Sequence, residues 1–165
     1  MASHNKQKIF AAVIKSLESQ LAVSLEAANN ARSQATHSEC IAQSRYDTLG
    51  LEQAYLAEGQ SVRAANLQLE ISLIRDLQSK YLKTQNQSEE ILLTSVVLLK
   101  KLNDDSHPLL RLFILPISGG TTVQTENSVL QVLSVNSPLG KALLGKEEQE
   151  IVSINQTHYE ILTIS

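Results

Sequence analysis

IKSLESQLAVSLEAANNARSQA, residues 14–35, is the stretch from which the architecture can be read. Stepping alternately by three and four, it places Ile14, Leu17, Leu21, Ser24, Ala28, Ala31 and Ala35 in one line. Such steps are the a/d seam of a helix packed along another helix. The seam side chains shrink along the chain, from Ile and Leu to Ser and Ala, so a partner helix can come closer toward the far end. A second helical stretch follows Gly50, with Tyr55, Val62, Ala65, Leu69, Leu73, Leu77 and Tyr81 expected near one face. With no long connection between the two, they are expected to form an antiparallel hairpin. Each arm takes roughly 30 to 40 residues, or about 45 to 60 Å at 1.5 Å per residue. The plainer alternative is a coiled coil that dimerises or joins a bundle through the same seam.

The turn of the hairpin has two candidate positions. Thr36-His37-Ser38-Glu39 fits a capping box that could start a helix. Alternatively the chain turns between Cys40 and Gly50, where Asp47 or Thr48 can cap the second helix. Equal arms bury the most seam and favour the later turn, near Ser44, leaving Tyr46, Asp47 and Glu52 at the tip. In the simplest account Asp47 only caps the helix, and Glu52 only complements its positive N-terminal dipole.

Composition narrows the function classes. The 165 residues carry 14 Lys+Arg against 17 Asp+Glu, a formal net charge of -3, whereas a free-standing nucleic-acid binder normally has a basic excess. Aromatics are 4% with no Trp, too few for base-stacking platforms. Hydrophobic residues at 42% are enough for a packed core. The single cysteine, Cys40, cannot make an internal disulfide or a Cys-rich zinc site, and His4, His37, His107 and His158 have no ligand spacing. The start of the chain is polar and no apolar run approaches ~18 residues, so neither a signal peptide nor a membrane span is expected, and the expected location is cytoplasmic.

The two halves differ. Residues 1–85 hold nine bases against eight acids, net +1, and no proline; residues 86–165 hold five bases against nine acids, net -4, and all three prolines, Pro108, Pro116 and Pro138. The polar run Thr84-Gln85-Asn86-Gln87-Ser88-Glu89-Glu90 reads as a linker, giving a helical domain 1–85 and a second domain 86–165. Within the second, residues 91–102 begin with an apolar run that suits a buried strand or a short helix. Residues 109–115 are a clearer strand, closed by Pro116 and a Gly119-Gly120 turn with no phosphate-loop Lys after it. Strands over 121–125 and 129–135 follow. Ser137 then caps a short helix with Pro138 at its first position and Gly145 at its end. Two last strands, about 150–155 and 159–164, are joined at Gln156-Thr157-His158. Asp104-Asp105 is expected in a solvated loop. The class is α+β: an antiparallel sheet with one short helix after a helical hairpin.

The run Leu133-Ser134-Val135-Asn136-Ser137-Pro138-Leu139-Gly140-Lys141-Ala142-Leu143-Leu144-Gly145-Lys146-Glu147-Glu148 resembles the C-terminal signature of Gre-type transcription elongation factors. In that family a strand, an S-P-[IL]-[AG] helix and a G-K turn lead into a last hairpin ending in Y-E-[IV]-L, here Tyr159-Glu160-Ile161-Leu162. The family also has an N-terminal helical hairpin. Tyr46-Asp47-Thr48, Leu51-Glu52 and Ala54-Tyr55-Leu56-Ala57 with Gln60 are similar to short GreA/GreB-like proteins of proteobacteria. The resemblance implies an FKBP-like sheet domain that docks on RNA polymerase, through Ser137, Pro138, Leu139, Gly140 and Lys141. It implies a hairpin tip inserted into the secondary channel, where acids help hold a metal ion and water. Asp47 and Glu52 would fill that role, with Glu39 a third candidate. No cofactor or metal of its own is implied, only a share in the polymerase Mg²⁺. Nucleic acid would be met only through the polymerase complex, and a monomer is expected. The departure lies at the tip. Gre cleavage factors carry D-x-x-E followed by N-A-E-Y, whereas Asp47 and Glu52 are five apart with Gly50 between them. Spacing three fixes both carboxylates on one helical turn; spacing five does so only if Gly50 permits a non-helical bend.

Three classes compete: a polymerase-binding elongation regulator, with or without cleavage stimulation; a prolyl isomerase, as an FKBP-like fold invites; and a coiled-coil adaptor unrelated to transcription. The isomerase is rejected because its proline pocket needs aromatic walls, and the second half offers only Phe113 and Tyr159. The expected protein is thus not an enzyme; at most it stimulates the nuclease activity intrinsic to the polymerase.

Overall fold

The computed structural model describes residues 2–36, 49–84, 88–102, 109–125 and 129–165. Two long helices, α1 (Ala2–Thr36) and α2 (Leu49–Thr84), precede a six-stranded sheet and one short helix, so the chain is α+β with an N-terminal helical hairpin. Among the described residues no helix is long and apolar enough to cross a membrane. The chain packs as two compact units: Ile14–Leu73, and Met1–Val13 together with Ile74–Ser165. A division at 85/86 follows the secondary structure, whereas packing assigns the outer ends of both helices to the sheet unit.

The unit Ile14–Leu73 contains only helical segments among its described residues, so each helix buries its seam on the other. On α1, Leu17, Ser24, Ala28 and Ala31 are buried and Ile14, Leu21 and Ala35 half-buried, the line expected from residues 14–35. On α2 a different face is used from the one expected. Ala57, Ala64, Leu67 and Ile71 are buried, Gln53 and Gln60 half-buried, while Tyr55, Val62, Ala65, Leu69 and Leu73 are exposed. The reason is steric. Arg32 Nη2 donates to Ser61 Oγ at 3.3 Å, which sets residues 28–35 of α1 opposite residues 57–64 of α2. The buried residues of these two facing stretches, Ala28 and Ala31 on α1 and Ala57 and Ala64 on α2, are all small. Tyr55 or Val62 on that seam would hold the helices apart.

The sheet unit has strands β1 (Val96–Lys101), β2 (Leu109–Leu115), β3 (Thr122–Gln124), β4 (Val129–Ser134), β5 (Ile151–Ile154) and β6 (Thr157–Ile164), in the order β3-β4-β2-β1-β6-β5. The expectation of a purely antiparallel sheet is corrected by one pair: β2 and β4 run parallel, with Phe113 level with Val132. A parallel pair needs a crossover of a dozen or more residues, and residues 116–128 supply it, with β3 folded back against the outer edge of β4. The apolar run from Ile91 is split. Thr94 takes φ 70 and turns the chain, so β1 starts only at Val96. The last hairpin turns at Asn155-Gln156, both at positive φ as a tight two-residue turn requires, one residue earlier than expected.

Leu112, Phe113, Ile114 and Leu115 of the central strand β2 are all buried, because both faces of the sheet are covered. On one face Ile91, Val97, Leu99, Leu112, Ile114, Val152 and Ile161 pack with Leu143 of α3 (Pro138–Leu143). On the other face Phe10 of α1 meets Phe113 edge-on, ring centroids 5.1 Å apart at 88°, a favourable aromatic geometry. Phe10 also touches Tyr81 of α2 at 6.2 Å. Lys6, in the segment read as polar, is buried with its Nζ 4.7 Å over the Tyr81 ring; burial lowers the Lys6 pKa and raises that of Tyr81. Phe113 is thereby sealed inside the core.

Candidate functional site

Two regions carry the residues singled out in the sequence. At the tip, Glu39 and Asp47 lie outside the described residues, as do His37, Cys40, His107 and Asp104-Asp105. Glu52 stands in the first turn of α2, exposed, where a carboxylate complements the helix dipole. Thr36 is the last residue of α1, and its hydroxyl donates back to the carbonyls of Arg32 and Ser33, both at 3.1 Å. These bonds stay within the last turn of α1, and residues 37–48, on which the expected turn falls, lie outside the described residues. Gly50 is helical, inside the first turn of α2, so no bend is taken there. Among the described residues no three His, Cys, Asp or Glu side chains converge as a metal site.

The second region is α3 with the strand end before it. Ser137 is extended at φ -70, ψ 157, and its Oγ accepts from the Gly140 N–H at 3.0 Å while donating to the Ser134 carbonyl at 2.7 Å. One hydroxyl thus caps the helix and binds it to β4. Pro138 begins the helix, where its missing N–H costs nothing. Gly140 is buried against the end of β4: a Cβ there would lie 2.1 Å from the Ser134 carbonyl oxygen. Gly145 at φ 72 ends the helix in the left-handed region. Leu139 is half-buried against the core. Of the five residues expected at a docking surface, then, Ser137, Leu139 and Gly140 build the segment, while Pro138 and Lys141 face solvent.

The fold adds residues the sequence reading did not single out. Ile91 N–H donates to the Lys146 carbonyl at 2.8 Å, and Gly145 N–H to the Ile91 carbonyl at 2.9 Å. These two bonds bring the loop after Ile91 to the end of α3. Leu92, Leu93 and Leu144, next in the chain to these bonded residues, are all exposed. The signal in the sequence was an apolar run interrupted by Thr94-Ser95, and it gave no hint of which leucines point outward. Nearby, the Lys146 ammonium sits 2.7 Å from Glu150 and holds that carboxyl below its ordinary pKa. The Tyr159-Glu160-Ile161-Leu162 segment is part of β6, with Ile161 in the core and paired with Leu99, so this motif carries structure first.

No family model matches the sequence, and no curated protein matches it. Among solved structures the chain is similar to the GreA factor homolog 1 (Gfh1) protein of Thermus thermophilus, at 22% identity and a TM-score of 0.36, over 93% of this chain and 95% of that one.

Proposed function

We propose that the chain is a Gre-like modulator of transcription elongation. It docks on RNA polymerase through the α3 edge, with Pro138 and Lys141 as contacts, and sends the hairpin tip into the secondary channel. The observation that supports this reading is the ordered segment of β4, Ser137-capped α3, Gly145 stop and final hairpin, whose Ser137-Pro138-Leu139-Gly140 and Tyr159-Glu160-Ile161-Leu162 resemble the Gre pattern, joined to an N-terminal helical hairpin. At the tip, Asp47 and Glu52, with Glu39 as a third acid, supply oxygen ligands. Carboxylates suit Mg²⁺, and the ion activates water for attack on phosphorus. The chain has no chemistry of its own in this scheme; the polymerase provides the other ligands and the RNA.

A second reading, a channel-occupying inhibitor without cleavage stimulation, is favoured by one observation. Asp47 and Glu52 are five apart, and Gly50 between them is helical, not bent. Capture of core RNA polymerase on the immobilised chain, followed by cleavage of a stalled complex, tests both. Asp47→Asn with Glu52→Gln is expected to retain binding and lose the effect on backtracked complexes. A double variant indistinguishable from wild type removes the metal role. Failure to capture the polymerase removes the whole reading and leaves the adaptor.

A further inference from the structure

The hairpin unit carries an apolar stripe that its own packing leaves bare. Leu51, Tyr55, Val62, Leu69 and Leu73 of α2 are between 51% and 64% exposed. At 3.6 residues per turn these five fall within an arc of about 40°, opposite the seam of Ala57, Ala64, Leu67 and Ile71. Single exposed apolar residues are ordinary on a surface; five in one line are not.

The stripe is also symmetric. Leu51 and Leu73 lie eleven residues on either side of Val62, and Tyr55 and Leu69 lie seven on either side. Two α2 helices laid antiparallel about a two-fold axis at Val62 therefore set Leu51 level with Leu73 of the second copy. Tyr55 comes level with Leu69 of that copy, and Val62 stands beside its own mate. An isologous interface needs such self-complementarity, and a parallel pairing would not require it. Gly59 supports a close neighbour. It stands inside α2, where glycine costs about 1 kcal/mol relative to alanine, and a Cβ on it would meet nothing within 4 Å in its own chain. Three residues past Val62, Ala65 is the matching small residue, also exposed.

We infer that the chain pairs with a second copy of itself through this outer face of α2, antiparallel and centred on Val62. The hairpin seam is already filled within one chain, so the pairing needs no opening of the hairpin; it departs from the monomer expected from the sequence. Ten large side chains bury on the order of 1,000 Å² in total, the lower limit for a specific interface. The dimer is therefore weak and reversible, with a dissociation constant on the order of micromolar or above. The inference rests on the stripe and does not require the polymerase reading.

Sedimentation equilibrium of the full chain over a dilution series tests it. Wild type is expected to pass from monomer to dimer, and Val62→Glu, which sets two carboxylates together on the axis, to weaken association about ten-fold or more. Far-UV circular dichroism should stay unchanged, since Val62 is exposed. Orientation is read separately with Cys40→Ser as background. There, Val62→Cys is expected to give a disulfide-linked dimer on mild oxidation, while Tyr55→Cys, about 20 Å from its mate at 1.5 Å per residue, is not. A chain monomeric well above the micromolar range, an unaffected Val62→Glu dimer, or equal cross-linking at both cysteines overturns the inference.

Discussion

At Gly140 an added methyl group would stand 2.1 Å from the Ser134 carbonyl oxygen and 2.9 Å from Val135 Cα, both on backbone that cannot swing aside. The helix approaches β4 this closely because the Ser137 hydroxyl clamps its first turn to Ser134. Gly140→Ala is expected to cost about 1–3 kcal/mol, the usual penalty of overpacking, measured from the denaturation midpoint. A midpoint equal to wild type would mean that α3 can slide off the strand. The cap and the proline were legible from Ser137-Pro138 alone, since both act on local backbone groups. The need for glycine at 140 was not, because the atom it would strike belongs to another element. The burial of Lys6 was not legible for the same reason: a lysine in a polar run lies buried over Tyr81, 75 positions away.

Between elements, the two long helices differ in how far their sequences could be read. α1 has one apolar line, and that line is its buried seam. α2 has two lines on opposite faces, and helical periodicity assigns either of them to the interior. The choice falls to α1, whose Ala28 and Ala31 admit only small neighbours at that level. Ile71 and Leu73, two residues apart, separate the alternatives. Ile71→Ala is expected to cost about 2–5 kcal/mol by opening a cavity in the seam. Leu73→Ala is expected to stay within about 0.5 kcal/mol when measured at concentrations below self-association. The reverse ranking would restore the face read from the sequence. In the sheet, the strands from 109 onward were placed to within one or two residues by Pro116, the paired glycines and alternation. The parallel β2–β4 pair was not, since direction of pairing depends on how a connection is routed.

Across the whole chain, the helical and sheet portions are not independent, because the sheet unit takes in residues 1–13 and 74–84. Phe10 and Tyr81 supply the cover for Phe113, which a boundary at 85/86 would strip away. Residues 88–165 alone are therefore expected to lose their cooperative thermal transition and to bind a hydrophobic dye. A fragment as stable as the full chain would show that the second face of the sheet needs no helix. Composition could not reveal this dependence. Phe10 sits in a helix and Phe113 in a strand, and nothing local links them. From the order of its residues alone the chain specifies what short-range forces govern: helix periodicity, a capped short helix, turns at glycine and proline, and the α+β class. Three things needed the folded chain: which face of α2 is hidden, which leucines next to Ile91 and Gly145 stay exposed, and which helix ends complete the sheet's core. Each depends on side chains brought together from far apart in sequence, and excluded volume between them selects among arrangements that local preferences leave equal.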